Sequence, residues 1–267
     1  MKRIAISLAA TVAFIGCGGV KNDTTQPTSS PVASNADRGN QIVADYQKDA
    51  NAPFRQDHVR FTIRSEKDPV QIYEIDVWRR NTDSETDTLS IITKPAEDAG
   101  TGSLAIERPG EATVNMTYAA SRDEYRETDT GKMFFGGLTA QELLGEWNKY
   151  DFKYLGDKPV NGRTGSEVEG HLRKGETSTI DSVKATFDTE THVLLEMHLF
   201  DNTGKELRTY TSGDIKEQSG HKYVARTEVE NHVYNSHITI EVITREYPAS
   251  IDNSFFQREK LKTFVRK

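Results

Sequence analysis

The chain has 267 residues, of which 35 % are hydrophobic and 28 % are charged, and this composition excludes a membrane-embedded and a fully disordered protein. Its formal net charge of −7, from 34 basic and 41 acidic residues, argues against a nucleic-acid-binding protein, which would need a basic excess on one face. The single cysteine excludes disulfide bonds within the chain and zinc sites built from thiolates.

The first segment has the features of a secretory signal peptide. Met1–Arg3 gives it a positive start, and the apolar run Ile4–Gly16 is too short to span a bilayer. The order apolar, apolar, small residue, cysteine that ends at Cys17 resembles the lipobox of bacterial lipoproteins. The resemblance implies that residues 1–16 are removed and that Cys17 carries fatty acyl chains, palmitate among them. The alternative is an unmodified cysteine at the end of an ordinary signal peptide.

We expect residues 17–39 to be the lipidated cysteine followed by a flexible tether. The segment is rich in small and polar residues and contains Pro27 and Pro31, so it cannot bury enough apolar surface to offset its ordering entropy. The folded domain is then expected at 40–267. In enterobacterial lipoproteins an Asp after the lipidated cysteine causes inner-membrane retention, so Gly18 implies export to the outer membrane.

The domain has the pattern of antiparallel strands with helical interruptions. A first helix is predicted near Asn40–Lys48, and thirteen later segments alternate apolar and polar residues with a period of two. These segments lie near His58–Arg64, Tyr73–Trp78, Thr88–Thr93, Ser103–Glu107, Thr113–Tyr118, Asp123–Thr128, Asp151–Leu155, Gly165–Leu172, Asp181–Phe187, Val193–Phe200, Glu206–Ser212, Lys222–Asn231 and His237–Arg245. The pattern predicts a single all-β domain with one or two covering helices.

A short central helix is predicted from Thr139 to about Asn148. Thr139 and Glu142 have the spacing of a capping box. Its apolar stripe consists of Leu143, Leu144 and Trp147. We expect this helix to act as a lid over the open sheet, with the preceding glycine pair, Gly136 and Gly137, as its hinge. The alternative is a permanently docked core helix.

Several segments resemble the LolA/LolB-like superfamily, and within it the outer membrane lipoprotein-sorting protein-like family. They are Leu89–Leu104, Met133–Leu138, Asp151–Gly156, Val160–Arg163, Phe187–Leu207 and Ile251–Phe256. The resemblance implies an open antiparallel half-barrel that binds the acyl chains of lipoproteins, or other lipids, on a concave apolar face. It also implies that no cofactor is needed.

Enzyme signatures do not occur in the sequence. It has no nucleophile elbow, no His-Glu-x-x-His zinc site and no P-loop. The seven histidines do not cluster at ligand spacing. The acidic pairs Glu66/Asp68 and Glu74/Asp76 are predicted on a solvated strand face. We therefore expect no catalytic residue, no metal and no cofactor.

The candidate binding residues are apolar and aromatic side chains of the sheet and of the central helix. They are Tyr73, Ile75, Val77, Phe134, Phe135, Leu143, Leu144 and Trp147. The hypothesis is that they line an acyl groove or its lid, and the alternative is that they form a closed core.

The resulting functional hypothesis is a lipid-anchored module that handles lipids or lipoproteins at the outer membrane, facing the periplasm. Its expected partner is a lipoprotein acyl chain or another lipid, with no nucleic acid and with membrane contact through the anchor only. A stable anchor favours a stationary acceptor, as in LolB, over a mobile carrier. The alternative is a non-enzymatic envelope sensor that grips a protein partner with the same fold.

Overall fold

A computed structural model describes residues 34–50, 52–108, 111, 113–127, 135–139, 142 and 147–263 of the chain. The predicted signal peptide, Cys17 and most of the predicted tether lie outside the described residues. None of the described helices has the length and apolar character that a membrane crossing requires.

Thirteen strands of the described residues form one antiparallel sheet in the order β6-β5-β4-β3-β2-β1-β13-β12-β11-β10-β9-β8-β7. The strands are β1 Phe54–Ser65, β2 Gln71–Asn81, β3 Thr86–Lys94, β4 Gly102–Glu107, β5 Val114–Ala119, β6 Glu124–Glu127, β7 Tyr150–Val160, β8 Arg163–Leu172, β9 Ser182–Asp188, β10 Leu194–Phe200, β11 Glu206–Gln218, β12 His221–Asn231 and β13 Ser236–Glu246. Because β6 and β7 are its two edges, the sheet is open. The predicted all-β half-barrel is confirmed.

Helix α1, Asn35–Ala50, precedes the sheet. The sequence pattern predicted a start near Asn40. This is wrong, because Ser34 and Asp37 form a capping box that starts the helix at Asn35. The Ser34 hydroxyl accepts from the Asp37 amide at 3.1 Å, and the Asp37 carboxylate accepts from the Ser34 amide at 3.3 Å. The helix therefore includes the last part of the predicted tether.

The apolar side chains change sides between two parts of the sheet. Val77 and Trp78 are consecutive in β2, so they point to opposite faces, which we call the inner face (Val77) and the outer face (Trp78). We call β1 with β7–β13 the C-terminal wing and β3–β6 the N-terminal wing. β2 lies between the wings and contributes to both faces.

The C-terminal wing buries its apolar residues on the inner face. This inner cluster contains Val43, Val59, Phe61, Ile63, Ile75, Leu138, Tyr150, Phe152, Val168, Ile180, Val183, Ala185, Phe187, Met197, Leu199, Tyr210, Val229 and Ile238. The N-terminal wing buries its apolar residues on the outer face. This outer cluster contains Trp78, Leu89, Ile91, Leu104, Tyr118, Phe256 and Leu261.

The C-terminal segment covers the outer cluster. It consists of a 3₁₀ turn, Asn253–Phe256, and of helix α2, Arg258–Thr263. Asp252 caps the turn, since its carboxylate accepts from the Ser254 amide at 2.8 Å. Leu261 of α2 is fully buried. The sequence analysis placed no helix here, because a six-residue segment is too short for a helical period to show.

Candidate functional site on the inner face

Helix α1 forms one half of the cover over the inner cluster. A Cβ at Gly39 would lie 2.7 Å from the Phe152 carbonyl oxygen, so the helix backbone lies directly against the edge strand β7. The Asn40 side chain accepts from the Phe152 amide at 3.0 Å, and Val43 is 3 % exposed. The helix thereby covers the edge of the sheet as well as its apolar face.

The second half of the cover is formed by residues 135–139, 142 and 147–149, which we call the strap. The predicted capping box is confirmed. The Glu142 carboxylate accepts from the Thr139 amide at 2.6 Å, and the Thr139 hydroxyl accepts from the Glu142 amide at 3.2 Å. The remainder of the predicted helix, up to the 3₁₀ turn Trp147–Lys149, lies outside the described residues.

A buried polar network fastens the strap to the inner face. Arg208 of β11 forms an ion pair with Glu142 at 2.9 Å, and their side chains are 6 % and 1 % exposed. Arg208 also donates to the Gly137 carbonyl, and Asn231 donates to the Gly136 carbonyl at 2.9 Å. Removing one partner of such a buried pair leaves an uncompensated charge, which costs about 3–5 kcal/mol. This end of the strap is therefore fixed.

The two glycines of the strap are close-packing residues in this structure. Gly136 and Gly137 have φ angles of 61° and 82°, which favour glycine. A Cβ at Gly136 would lie 2.7 Å from Cδ1 of Ile238, and one at Gly137 would lie 2.6 Å from the Tyr234 ring. Because these glycines have no Cβ and their carbonyls are hydrogen-bonded, the strap backbone contacts the sheet closely. The hinge hypothesis did not include this packing role.

The candidate residues that the structure describes are in or against the inner cluster. Ile75 is 5 % exposed, and Tyr73, Val77 and Trp147 are half-buried against the cluster. The Trp147 ring lies 5.6 Å from Tyr46, 5.7 Å from Phe187 and 5.9 Å from Phe152, measured between ring centroids. Cys17, Phe134, Leu143, Leu144 and the Phe135 side chain lie outside the described residues.

Next to the apolar surface, the inner face carries an arginine-rich surface that we call the inner polar patch. It consists of Arg55, Asp57, Arg79, Thr88, Asn115 and Arg245. Asp57 is 4 % exposed and lies between two guanidinium groups, with Arg55 Nε at 2.9 Å and Arg245 Nε at 2.6 Å. The pKa of Arg55 is lowered to about 10, because burial and the neighbouring cations Arg245 and Arg79 together outweigh the opposing effect of Asp57.

Tyr46 of α1 joins the apolar surface to the inner polar patch. Its ring lies 4.9 Å from the Phe187 ring, inside the inner cluster. Burial raises the pKa of its hydroxyl, and the positive charges of three arginines of the patch, which are Arg79, Arg55 and Arg245, oppose that rise. Val77, which packs against the inner cluster, pairs with Asp57 of the patch, so the two surfaces are continuous.

The outer face of the C-terminal wing and β2 is charged. Glu74 of β2 receives hydrogen bonds from Arg60 at 2.8 Å and lies 2.8 Å from Lys94 Nζ. Hydrogen bonds from Lys94 and Arg60 lower its pKa to about 2. The prediction of a solvated Glu74 is wrong, since the residue is 6 % exposed beneath these cations. Across the described residues, no group of three or more His, Cys, Asp or Glu side chains could hold a metal ion.

Arg208, Asn231 and the inner polar patch were not predicted from the sequence. These residues share one signal: a polar side chain at an inward position of an alternating strand. Arg208 alternates with Tyr210 in β11, and Asn231 alternates with Val229 in β12. A polar residue in such a position requires a buried partner.

The fold places the protein in the class of LolA-like half-barrels. The structure is similar to a DUF1329 family protein from Desulfovibrio piger, with a TM-score of 0.81 and 14% identity over 86% of this chain and 100% of that chain. It is also similar to a putative outer membrane lipoprotein-sorting protein domain from Vibrio parahaemolyticus, with a TM-score of 0.78 and 16% identity over 85% of this chain and 99% of that chain. A LolA superfamily protein from Nitrosomonas europaea has a TM-score of 0.67 and 10% identity over 83% of this chain and 98% of that chain.

At the level of sequence, a family model described as "-like: Uncharacterized protein" matches residues 84–263, which is more than half of the chain. The chain therefore belongs to this family. No curated protein matches the chain. At these identities the similar structures establish the shared fold.

Proposed function

We propose that the protein is a lipid-anchored, non-enzymatic module that binds lipid or lipoprotein acyl chains on its inner face. The observation that carries this proposal is the pairing of a continuous apolar inner cluster with a cover, α1 and the strap, that belongs to no strand of the sheet. A cover held by side chains can separate from the sheet without breaking strand pairing.

Binding would begin at Trp147. Ring contacts hold this half-buried side chain against the inner cluster, whereas the Gly136–Glu142 end of the strap is fastened by Arg208 and Asn231. An acyl chain that displaces the Trp147 ring gains the contacts and the burial that the ring gives up. Transfer to a bilayer then requires only that the bilayer bind the chain more favourably.

The anchor is proposed at Cys17 and the location at the outer membrane, facing the periplasm, where the protein would act as a stationary acceptor. Labelled palmitate should be incorporated into the wild-type protein and not into a Cys17→Ser variant. Incorporation into the variant would place the modification elsewhere. Density-gradient fractionation should band the wild-type protein with the outer membrane, and banding with the inner membrane would contradict the location.

The two tryptophans of the chain give a matched test of acyl-chain binding. In a Trp78→Phe variant, the remaining Trp147 should change its fluorescence when a fatty acid or lipopeptide is added. In a Trp147→Phe variant, the remaining Trp78 in the outer cluster should not respond. Equal responses from both variants, or none from either at saturating lipid, would overturn the proposed inner-face site.

A protein-binding function is the second candidate, and one surface favours it. The hairpin ends of β1–β2 and β12–β13 lie side by side, because Ser65 pairs with Ser236. They expose four large apolar residues: Val70, Ile72, Val233 and Tyr234. An open groove of about 400 Å³ lies at the same end, lined in part by Arg64 and His237. A stable complex with an envelope protein, purified without lipid, would favour this function over lipid binding.

A further inference from the structure

A row of side chains in the inner polar patch crosses the five neighbouring strands β1–β5. Arg55 pairs with Arg79, Arg79 with Thr88, Thr88 with Ala105, and Ala105 with Asn115. Directly paired residues of an antiparallel sheet point to the same face, so these side chains all point to the inner face. The small Thr88 and Ala105 lie between the long Arg79 and the amide of Asn115.

Two polar atoms of this row lack partners. Nδ2 of Asn115 and Oγ1 of Thr88 are buried, and neither has a hydrogen-bond partner among the described residues. Asn115 is 5 % exposed. A buried amide or hydroxyl without a partner is costly, and such groups are uncommon in folded proteins. Both can donate a hydrogen bond, so they could bind a ligand that supplies acceptor oxygens.

The charges around the row favour an anionic ligand. Three arginines, which are Arg55, Arg79 and Arg245, lie near two carboxylates, those of Asp57 and Glu107. Positive charge is therefore in excess on a surface with little water, where an arginine binds the oxygens of a phosphate with its planar fork of donors.

We propose that the inner polar patch binds the phosphate of an anionic amphiphile whose acyl chain occupies the inner cluster. This inference rests on the proposed function and specifies its ligand. Tyr46 marks the junction, since its ring contacts Phe187 and its hydroxyl lies in the field of the three arginines. The headgroup phosphate accepts from Arg79, Thr88 and Asn115, while the chain continues past Tyr46 towards Trp147.

The test compares two lipids with the same acyl chains, one with an anionic phosphate headgroup and one without phosphate. Full-length protein in an uncharged detergent is titrated calorimetrically with dihexanoyl-phosphatidylglycerol, dihexanoylglycerol and inorganic phosphate. The wild-type protein should bind the anionic lipid about tenfold more tightly, the effect of one charge-assisted hydrogen bond. An Arg79→Gln variant should lose this preference and still bind the dihexanoylglycerol. An Arg226→Gln variant on the outer face is the matched control and should keep the preference.

A second variant separates a binding role from a structural one. Asn115→Leu removes a donor that has no partner in the described residues and keeps the branched shape of the side chain, so its midpoint in urea should not fall. The same variant should weaken binding of the anionic lipid. A lower urea midpoint with unchanged binding would show that Asn115 is structural and would overturn its assigned role.

The outcomes separate this inference from the proposed function. Equal affinities of the wild-type protein for the two lipids would overturn the headgroup site and leave acyl-chain binding intact. Binding of inorganic phosphate that depends on Arg79, with no binding of either lipid, would identify a free-phosphate site and overturn both proposals. Absence of all binding would also overturn both.

Discussion

The two wings of the sheet bury their apolar residues on opposite faces, and their covers differ accordingly. The outer cluster of the N-terminal wing is covered by a C-terminal segment whose Phe256 and Leu261 are part of that cluster. The inner cluster of the C-terminal wing is covered by α1 and by the strap, which is fastened at one end through Arg208. The reversal leaves the inner face of the N-terminal wing polar, and this polar surface adjoins the apolar one.

This comparison shows how one open sheet can present an apolar and a cationic surface side by side. A sheet with the same apolar face throughout would offer only a hydrophobic groove. Here β2 contributes Ile75 to the inner cluster and Trp78 to the outer cluster. The change of side at β2 therefore gives the inner face its amphiphilic character.

The largest effect is expected at the fastened end of the strap. Arg208→Met leaves the buried Glu142 carboxylate unpaired, so the free energy of unfolding should fall by about 3–5 kcal/mol. Arg226→Met, which breaks an exposed pair with Glu228 on the outer face, should cost at most about 1 kcal/mol. Urea unfolding measures both. Equal losses would show that the strap is not fastened by a buried pair.

The reversal of faces is tested by two neighbouring residues of β3. Leu89 is fully buried in the outer cluster, so Leu89→Ala should lower the free energy of unfolding by about 2–5 kcal/mol. Ser90 points to the polar inner face. Ser90→Ala should therefore change the free energy of unfolding by about 0.5 kcal/mol or less. A larger effect at Ser90 than at Leu89 would contradict the assignment of the faces in the N-terminal wing.

The start of α1 is tested through its cap. Ser34→Ala removes the hydroxyl that accepts from the Asp37 amide, which should cost about 1 kcal/mol of stability. Ser121→Ala in the exposed turn before β6 serves as the control and should cost about 0.5 kcal/mol or less. If the two variants are equally stable, the helix does not depend on this cap.

A pH dependence of stability is expected at Glu74, on the charged outer face. Its folded-state pKa of about 2 lies below the ordinary value of 4.5, because Lys94 and Arg60 hydrogen-bond to the carboxylate. The resulting stabilisation is fully present above pH 4.5 and is lost as the pH falls towards 2. The stability difference between the wild-type protein and Glu74→Gln should therefore shrink over this range. A stability difference that is the same above pH 4.5 and near pH 2 would contradict this pairing of Glu74.

The sequence predicted the strands well because alternation with a period of two is a local signal. The capping box of the strap was predicted for the same reason, since Thr139 and Glu142 are three residues apart. The partner of Glu142 was not predictable, because Arg208 lies 66 positions away on a different strand. The face that each wing buries was also not predictable, because alternation separates two faces and does not say which of them a later segment covers.

The central claim is that the cover of the inner face opens for ligand while the cover of the outer face does not. Amide hydrogen exchange with and without lipid tests this claim most directly. With dihexanoyl-phosphatidylglycerol bound to the full-length protein, protection should rise in α1 and at the Trp147 end of the strap, because covers that open come from the least stable parts of a structure. Protection of the C-terminal segment, 253–263, should stay the same. Protection that is unchanged in α1 and the strap at saturating lipid, or that rises in the C-terminal segment alone, would contradict the claim.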